Sequence, residues 1–518
     1  MTIAKVTTVR ERIDYPNDPL SLYQQLTHDA PHTMLLESAE IESKDNIRSI
    51  ILTHAALAIR CKGYQLTFTA LTENGQNLLA PIERYFPDAD AVVEDNTLTL
   101  TLTKASQQLD EDARLKSVSP LDGLRAIVKG IDCGESPQFE DLFLGGVLAY
   151  DLIDTVEPLP QVPEGNNSCP DYLFYLAETL VTVDRQAETA QVITHLFNTE
   201  QHQDNDYACC LSDRIATIAA QVAELRSAPA LVTVDADAKV NVSDAEFVQH
   251  VEALKSHVVA GDIFQVVPSR SFSLPCPNTL GAYRALRLTN PSPYMFYFRG
   301  DDFTVFGASP ESALKYETST NQVEIYPIAG TRARGKTLDG SIDTDLDSRI
   351  ELELRLDKKE LSEHLMLVDL ARNDVARISQ SGTRKIPELL KVDRYSHVMH
   401  LVSRVTGQLR QDLDALHAYQ ACMNMGTLTG APKVSAAQLI RGVEKTRRGS
   451  YGGAAGYLNG LGDMDTCIVI RSAFVKDGTA HIQAGAGVVY DSDPQAEADE
   501  TRQKAQAVIT AIKMGGGV

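Results

Sequence analysis

Residues 485–504, GAGVVYDSDPQAEADETRQK, decide how the C-terminal part of this chain folds. The glycines at the start of the stretch predict a turn. Asp493 can cap the helix that follows, and Pro494 can be its first residue, because these residue types are favoured at those positions. The predicted helix buries an apolar stripe that continues past the quoted stretch and consists of Ala505, Val508, Ile509 and Ile512.

Three charged side chains share one face of this predicted helix. Glu497, Glu500 and Lys504 lie at i, i+3 and i+7, so they project beside one another at the margin of the apolar stripe. Two carboxylates and an ammonium group next to a glycine turn suit a metal ion and a small anion. The alternative is a solvated charged face, as is usual for charge runs on helices.

A second acidic pair lies in a segment that reads LSEHLMLVDLARND from residue 361 onward. From Glu360 to Leu370 this predicted helix is apolar nearly all round, which indicates burial. Glu360 and Glu363 repeat the i, i+3 spacing, and buried carboxylates need a cation or strong donors. Two such helices facing each other can hold Mg²⁺ through oxygens. The alternative is pairing with nearby bases, namely Lys358, Lys359, Arg355 and Arg372.

Four further positions are candidates for chemistry. His400 lies in a predicted strand and is either structural or catalytic, with His397 as its competitor. The turn at 424–433 can bind a carboxylate through backbone N–H groups. Arg471 ends an apolar strand and either clamps a carboxylate or reaches solvent. Tyr451 stands among glycines, which allow a ligand to approach closely.

Composition excludes several classes of function. The 518 residues include 70 acidic and 48 basic ones, giving a net charge of −22, which repels nucleic acid and anionic membranes. The eight cysteines show no CxxC pair, so we expect reduced thiols. The N-terminus lacks the apolar core of a signal peptide, and no apolar run is long enough to span a bilayer. These features predict a soluble cytoplasmic protein that binds neither nucleic acid nor membrane.

The chain divides best within the polar stretch at 200–245. Residues 1–240 are rich in strand patterns, including a hairpin that starts near residue 172. Residues 241–518 begin with an amphipathic helix capped at Ser243 or Asp244. We therefore predict an N-terminal region, 1–240, that packs on and shares the sheet core with a catalytic region, 241–518.

Taken together, six ordered motifs resemble the chorismate-utilising enzymes. They are PIAGTRARG, LSEHLMLVDLARND, MGTLTGAPK, SYGGAAGY, IVIRSA and AGAGVVYDSDPQAEADET, and they cover residues from about 244 to 515. The N-terminal half resembles the same family through LLESAEI and GGVLAYDLID. The resemblance implies a large α+β fold with stacked antiparallel β-sheets at the centre and helices outside.

The resemblance also implies roles for individual residues. Glu363 and Glu500 would bind Mg²⁺, with Glu360 and Glu497 in support, and the ion would hold the ring carboxylate of chorismate. Glu311 would protonate the departing 4-hydroxyl, and His400 would assist the later elimination. The substrate contacts implied are Gly330, Thr331, Thr427, Tyr451, Arg471, Gly485, Ala486, Gly487 and Lys504.

Two positions favour one reaction within the family. Members that add water at C2 carry a lysine where this chain has Gln265, and members that form aminodeoxychorismate commonly carry one where it has Ala329. The remaining reaction is direct attack by ammonia with Gln265 in the catalytic site, followed by loss of pyruvate to give anthranilate for tryptophan biosynthesis. Aminodeoxychorismate or isochorismate formation is the alternative within the family. A non-catalytic amino-acid sensor is the alternative outside it.

Regulation and partners are implied in the same way. LLESAEI and NPSPYMFYF resemble tryptophan-binding elements, which implies feedback inhibition through Ser38, Pro293, Tyr294 and Met295. The chain has no Gly-x-Cys-x-Gly nucleophile motif, so a separate glutamine amidotransferase subunit would supply the ammonia. We expect a hetero-oligomer with two copies of each subunit.

Overall fold

A computed structural model of the chain describes residues 2–38, 48–104, 106, 108–199, 205–337, 339–395 and 398–518. Its helices are α1 Pro19–Thr27, α2 Glu73–Tyr85, α3 Glu111–Leu115, α4 Asp122–Gly130, α5 Asn205–Ala223, α6 Asp244–Ala260, α7 Thr279–Thr289, α8 Thr344–Leu356, α9 Lys358–Ile378, α10 Ala415–Cys422, α11 Gly426–Thr429, α12 Lys433–Glu444 and α13 Pro494–Gly515, with a 3₁₀ helix at Tyr150–Thr155.

The strands follow in chain order. They are β1 Ala4–Ile13, β2 Thr33–Glu37, β3 Arg48–Lys62, β4 Gln65–Ala70, β5 Asp90–Glu94, β6 Thr97–Thr101, β7 Ile131–Asp132, β8 Phe143–Leu148, β9 Tyr172–Asp184, β10 Thr189–Asn198, β11 Lys239–Val240, β12 Gln265–Val266, β13 Ser269–Pro275, β14 Tyr294–Arg299, β15 Phe303–Ser309, β16 Ser312–Glu317, β17 Gln322–Ile325, β18 Ile328–Ala333, β19 Lys385–Arg394, β20 Val398–Gln408, β21 Gly430–Ala431, β22 Ala454–Asn459, β23 Met464–Ile468, β24 Ser472–Lys476 and β25 Thr479–Gly485.

The C-terminal helix α13 forms as its sequence predicts. The Asp493 side chain accepts a hydrogen bond from the backbone N–H of Ala496, and Pro494 is the first helical residue. The predicted apolar stripe is buried against the sheet and against α7. Helix α6 also begins as predicted, because Ser243 caps it in a capping box with Glu246.

The strands pair mostly antiparallel in one continuous network, and only β12 and β21 form a separate ribbon among the described residues. Strands from the two halves of the sequence hydrogen-bond directly, since β2 pairs with β14 and β8 with β22. The division of the chain at residue 240 itself stays a prediction.

The hydrophobic core is layered. One cluster comes almost entirely from strands, and its rings of Tyr175 and Phe298 stack with centroids 4.9 Å apart. A second cluster joins α1, α5, α7 and α13 to the sheet, and a third joins α2, α4, α9 and α10 to it. Helices therefore cover a core of β-strands packed face to face, which confirms the predicted α+β class with antiparallel sheets at the centre.

Helix α9 differs from its prediction. It buries one face, which includes His364, Leu367 and Ala371, whereas Leu365 keeps 46% of its surface exposed. Leu356, at the end of α8, is 67% exposed. The expectation that α9 is buried nearly all round was wrong. Apolar side chains are common on protein surfaces, so an apolar sequence does not by itself bury every face of a helix. Glu360 and Glu363 lie on a different side of the helix from Leu365, and both are half-buried.

No helix in the described ranges is long and apolar enough to cross a membrane.

Candidate active site

Helix α9 and the glycine turn before α13 approach each other at one amide side chain. Gln265 on β12 is buried and donates a hydrogen bond of 2.8 Å from Nε2 to Oε1 of Glu363 on α9. Gly487 closes over this pair, because a Cβ at that position would lie 2.7 Å from the Gln265 Nε2 and 3.4 Å from the Glu363 Oε1. The glycine turn predicted before α13 thus lies against Gln265 and close to Glu363, one member of the acidic pair predicted on α9.

Carboxylates of the same helix repel each other on both α9 and α13. Burial raises the pKa of Glu363, and the charge of Glu360 raises it further. Burial and the charge of Glu500 likewise raise the pKa of Glu497. A cation between the helices would relieve both effects, so the donor set fits a hard divalent ion.

The described side chains do not by themselves form a complete set of metal ligands. Within the described ranges, no group of three or more His, Cys, Asp or Glu side chains is arranged to hold a metal ion. Mg²⁺ commonly takes only one or two carboxylates from a protein and completes its shell with water and substrate oxygens. The arrangement suits an ion that arrives together with an anionic substrate.

Glu360 has a partner that the helix sequence does not reveal. Arg332 on β18 donates from Nη1 to the Glu360 Oε1 at 2.7 Å and pairs through Nη2 with Asp357 at 2.7 Å. Two of the bases expected as alternative partners bond within their own helices, Arg355 to Glu351 and Arg372 to Asp369. Arg332 is absent from the predicted site residues, because its contact with α9 depends on tertiary packing.

Lys504 connects the two ends of the site. Its Nζ lies 2.6 Å from Oε1 of Glu500 and donates to the backbone oxygen of Gly485 at 3.1 Å. Its charge lowers the pKa of Glu363, and it also lowers the pKa of Glu311 at the opposite end. One ammonium group therefore acts on the acidic helices, the glycine turn and a more distant carboxyl.

Arg471 lies in a turn rather than at the end of a strand, which corrects its prediction. It falls between β23 and β24 with φ 49°, and its Nη1 donates to the backbone oxygen of Lys504 at 3.0 Å. Burial lowers its pKa, while Tyr451 and Glu500 oppose that effect. The left-handed turn keeps the guanidinium inside the site, where it can bind a carboxylate.

The turn at 485–487 is held from both sides. The Tyr451 hydroxyl lies against Gly485, where a Cβ would come within 3.1 Å of it. The backbone N–H of Ala486 donates to Pro268 at 3.1 Å, and its methyl group is buried. Tyr451 and the backbone of Pro268 thus fix the position of the glycine turn.

Glu311 is a buried carboxyl that can hold a proton at neutral pH. It lies between β15 and β16, is buried, and has a pKa raised to about 8 by that burial. Thr427 on α11 donates from Oγ1 to its Oε1 at 3.0 Å, and the N–H of Ile468 donates to its backbone oxygen at 3.0 Å. At neutral pH the carboxyl is protonated and can give its proton to a leaving group.

His400 lies on β20, next to its partner strand β18. Its Nδ1 lies 2.8 Å from Oγ1 of Thr331, its register partner on β18. Burial lowers the pKa of His400 to about 4, and the charge of Arg471 lowers it as well. Gly330, at φ +84°, brings this strand against α9, since a Cβ there would lie 3.3 Å from Glu360 Oε2. The neutral imidazole can accept a proton, and His397 lies outside the described residues.

The residues expected to bind tryptophan form a second group. Strands β2 and β14 pair so that Met295 lies opposite Glu37, which brings Ser38 next to Tyr294 and Pro293. The buried Ser38 hydroxyl has no hydrogen-bond partner in the described part of the chain. Tyr294 and Met295 are strand residues rather than part of a turn.

A buried acid adjoins this group. Glu37 pairs with Arg185 at 3.0 Å and with Arg287 at 3.2 Å, and Tyr283 donates to it at 3.0 Å. Burial raises its pKa. Like Arg332, it is absent from the predicted site residues, because its partners come from distant parts of the sequence.

Comparison with known proteins identifies the family. A family model described as chorismate binding enzyme matches residues 85–510. The chain belongs to the chorismate-binding enzymes. This chorismate-binding enzyme is 59% identical to anthranilate synthase component 1 of Vibrio cholerae over 98% of its own length and 97% of the relative's.

Solved structures of other chorismate-binding enzymes have the same architecture. Anthranilate synthase component I of Streptococcus pneumoniae matches with a TM-score of 0.69 and 29% identity, covering 96% of this chain and 99% of that one. The menaquinone-specific isochorismate synthase of Escherichia coli matches with a TM-score of 0.67 and 18% identity, covering 98% and 95%. Because both match closely in fold, the fold does not distinguish the reaction, and the side chains must.

Proposed function

We propose that this chain is the chorismate-using component of an anthranilate synthase, a lyase that converts chorismate and ammonia to anthranilate and pyruvate. The observation that carries the proposal is the pairing of Gln265 with Glu363 at 2.8 Å. An amide cannot activate water as a base, and its Nε2 is already committed to a carboxylate. Ala329 offers no amine for covalent attack. The name of the Vibrio cholerae relative supports the same reaction.

In the first step, ammonia would add at C2 of the ring while the 4-hydroxyl leaves. Hydroxide is a poor leaving group, so the step needs a proton donor. Glu311 fits this role because its pKa of about 8 keeps it protonated at neutral pH. The hydroxyl would depart as water with the Glu311 proton, the C1=C2 and C5=C6 double bonds would shift to C6=C1 and C4=C5, and the added nitrogen would remain as an ammonium group.

Binding of the substrate carboxylates would fall to both ends of the site. Glu363 and Glu500 would hold Mg²⁺, with Glu360 and Glu497 in support, and the bound ion would supply Lewis-acid polarisation of the ring carboxylate. Arg471, Lys504 and Tyr451 would hold the enolpyruvyl side with the 485–487 turn. Gly330, Thr331 and Thr427 would line the ring.

In the second step, the C2 proton would leave and the enolpyruvyl group would depart as pyruvate, which makes the ring aromatic. His400 fits the role of proton acceptor because it is neutral at pH 7, with a pKa of about 4. Its hydrogen bond with Thr331 would orient the ring of the imidazole.

A separate glutamine amidotransferase subunit would supply the ammonia, in a cytoplasmic hetero-oligomer with two copies of each subunit. The proposal rests on the absence of a glutaminase nucleophile motif from the sequence and on the word component in the relatives' names. Tryptophan would inhibit by binding beside Ser38, Pro293, Tyr294 and Met295. The buried Ser38 hydroxyl has no hydrogen-bond partner among the residues that the structure describes, which supports a ligand site there.

A product assay tests the proposed reaction directly. The purified chain, chorismate, Mg²⁺ and an ammonium salt should give fluorescent anthranilate and an equal amount of pyruvate. Accumulation of an aminated or hydroxylated ring that retains its enolpyruvyl group would overturn the assignment in favour of aminodeoxychorismate or isochorismate synthesis. No turnover together with tight tryptophan binding would favour an amino-acid sensor.

A further inference from the structure

A second cavity lies outside the candidate active site, on the side of the fold formed by the N-terminal half. It is enclosed by the turn after β3, the segment after β6, helix α3 and its C-terminal loop, the end of the 3₁₀ helix, and α10. The side chains used below are Tyr64, Lys104, Arg114, Ser119, Glu157 and Gln420. None of them belongs to the sites assigned above.

The charges around this cavity favour an anion. Arg114 pairs with Glu157 at 3.5 Å, so those two charges largely offset each other. Lys104 Nζ lies 5.8 Å from the centre of the Tyr64 ring, and no carboxylate in the described part of the chain pairs with it. A cavity with a surplus positive charge is notable in a chain of net charge −22.

The wall of the cavity also contains polar groups that lack partners. Ser119 and Gln420 are each only 6% exposed. The Ser119 hydroxyl and the Gln420 amide oxygen have no hydrogen-bond partner among the residues the structure describes. Buried polar groups in native proteins are nearly always satisfied, so each of these two points to a bound molecule. An amide oxygen can only accept, which requires a donor on that molecule.

We propose that this cavity binds a small organic carboxylate that also carries a hydroxyl or amino group. The carboxylate would pair with Lys104, and the hydroxyl or amino group would donate to the Gln420 amide oxygen after a rotation about its terminal torsion, which is soft in glutamine. Ser119 can serve either end because a hydroxyl both donates and accepts. The aromatic face of Tyr64 covers the carbon skeleton.

Calorimetric titration of the full-length protein tests this site. The probes are D-glycerate, which carries hydroxyl donors, and L-serine, which adds an amino donor. Propionate supplies a carboxylate without a donor, and glycerol supplies donors without a carboxylate. We expect glycerate or serine to bind, and propionate and glycerol to bind at least about tenfold more weakly, since each lacks one charge-assisted or buried hydrogen bond. Binding of glycerate would show that a hydroxyl suffices as the donor, and binding of serine alone would show that the amino group is needed.

Matched variants locate the binding. Lys104→Gln removes the exposed charge and should weaken binding at least about tenfold. Lys239→Gln removes an equally exposed lysine on β11 and should leave binding unchanged. Gln420→Leu should weaken binding at unchanged melting temperature, and Lys104→Gln carries the test if the leucine variant does not fold. Failure of both probes to bind at millimolar concentration, or binding that Lys104→Gln leaves intact, would overturn the proposal. The assay contains no chorismate, so its outcome is independent of the reaction proposed above.

Discussion

Gln265 and Glu363 are joined by a hydrogen bond of 2.8 Å between β12 and α9, with the amide as donor and the carboxylate as acceptor. The bond lowers the pKa of Glu363 against the opposing effects of burial and of the Glu360 charge. It therefore favours the ionised form of the carboxylate and orients it at the position where the family resemblance places Mg²⁺. The residue that distinguishes this chain from the water-adding members also supports the proposed metal ligand.

Replacing Gln265 by leucine should raise the Mg²⁺ concentration needed for half-maximal anthranilate formation by about 10–100-fold, as is typical when a group supporting a metal ligand is removed. The measurement is a Mg²⁺ titration at saturating chorismate and ammonium. Gln495→Leu, at an exposed position of α13, is the matched control and should not change the requirement. Equal requirements in the two variants would separate Gln265 from the metal site.

Loss of the proton on Glu311 should limit activity at alkaline pH. Its folded pKa of about 8 lies above its ordinary value, so the acid form prevails below pH 8 and is lost above it. We expect kcat to fall above about pH 8, and Glu311→Gln to lower kcat by about 10²–10⁴-fold at pH 7, the usual contribution of a general acid. A pH profile of anthranilate formation checks both. An alkaline limb that persists unchanged in the glutamine variant would assign it to another group.

Thr427 should influence the pH at which kcat falls on the alkaline side. Its hydrogen bond favours the charged form of Glu311 and so lowers the pKa. In Thr427→Val the pKa should rise, and the alkaline limb of kcat should move to higher pH. A reduced kcat with an unmoved limb would mean that Thr427 acts only on the substrate.

Local signals in the sequence were enough to predict the position of the helix α13, which carries part of the site. Asp493 and Pro494 place the start of α13 because capping and the fixed φ of proline act within one turn. The i, i+3 spacing placed Glu497 beside Glu500 for the same reason. The expectation that α9 and α13 act on one site came from motif resemblance, since periodicity carries no information about which helices face each other.

Contacts between distant segments could not be predicted in this way. Arg332 and Glu360 are 28 residues apart and meet because β18 packs on α9. Arg471 looked like a strand end because an apolar run precedes it, but its backbone turns left-handed and directs the side chain inward. In each case tertiary packing decides the position of a charge that the local pattern leaves open.

Tryptophan inhibition should depend on Ser38. Its hydroxyl is buried without a partner in the described ranges, so a ligand there would gain a hydrogen bond that alanine cannot provide. Ser38→Ala should raise the tryptophan concentration for half-inhibition by about tenfold, the effect of one neutral hydrogen bond, while ammonia-dependent activity persists. Ser119→Ala serves as control, because it removes another buried hydroxyl that lacks a partner within the described part of the chain. Identical inhibition curves for Ser38→Ala and the unmodified chain would count against the pocket.

The sheet core should reject a methyl group at Gly146. This residue lies on β8 between β9 and β22, and a Cβ would come within 2.4 Å of the backbone oxygen of Leu173 and of the Phe174 ring. Backbone oxygen cannot move aside without disturbing the ladder. Gly146→Ala should therefore destabilise the fold by about 1–3 kcal/mol, the range for overpacked cores.

Replacing Gly442 by alanine should stabilise the fold, whereas the same substitution at Gly146 should destabilise it. Gly442 lies at an exposed position inside α12, where a Cβ would meet nothing within 4 Å. Alanine there removes the entropic cost of glycine in a helix and should stabilise by about 0.5–1 kcal/mol. Urea unfolding of both variants beside the unmodified chain measures the difference, with equal slopes as the test of a common unfolded state. A Gly146→Ala variant as stable as Gly442→Ala would mean that β8 does not pack against β9 as closely as described.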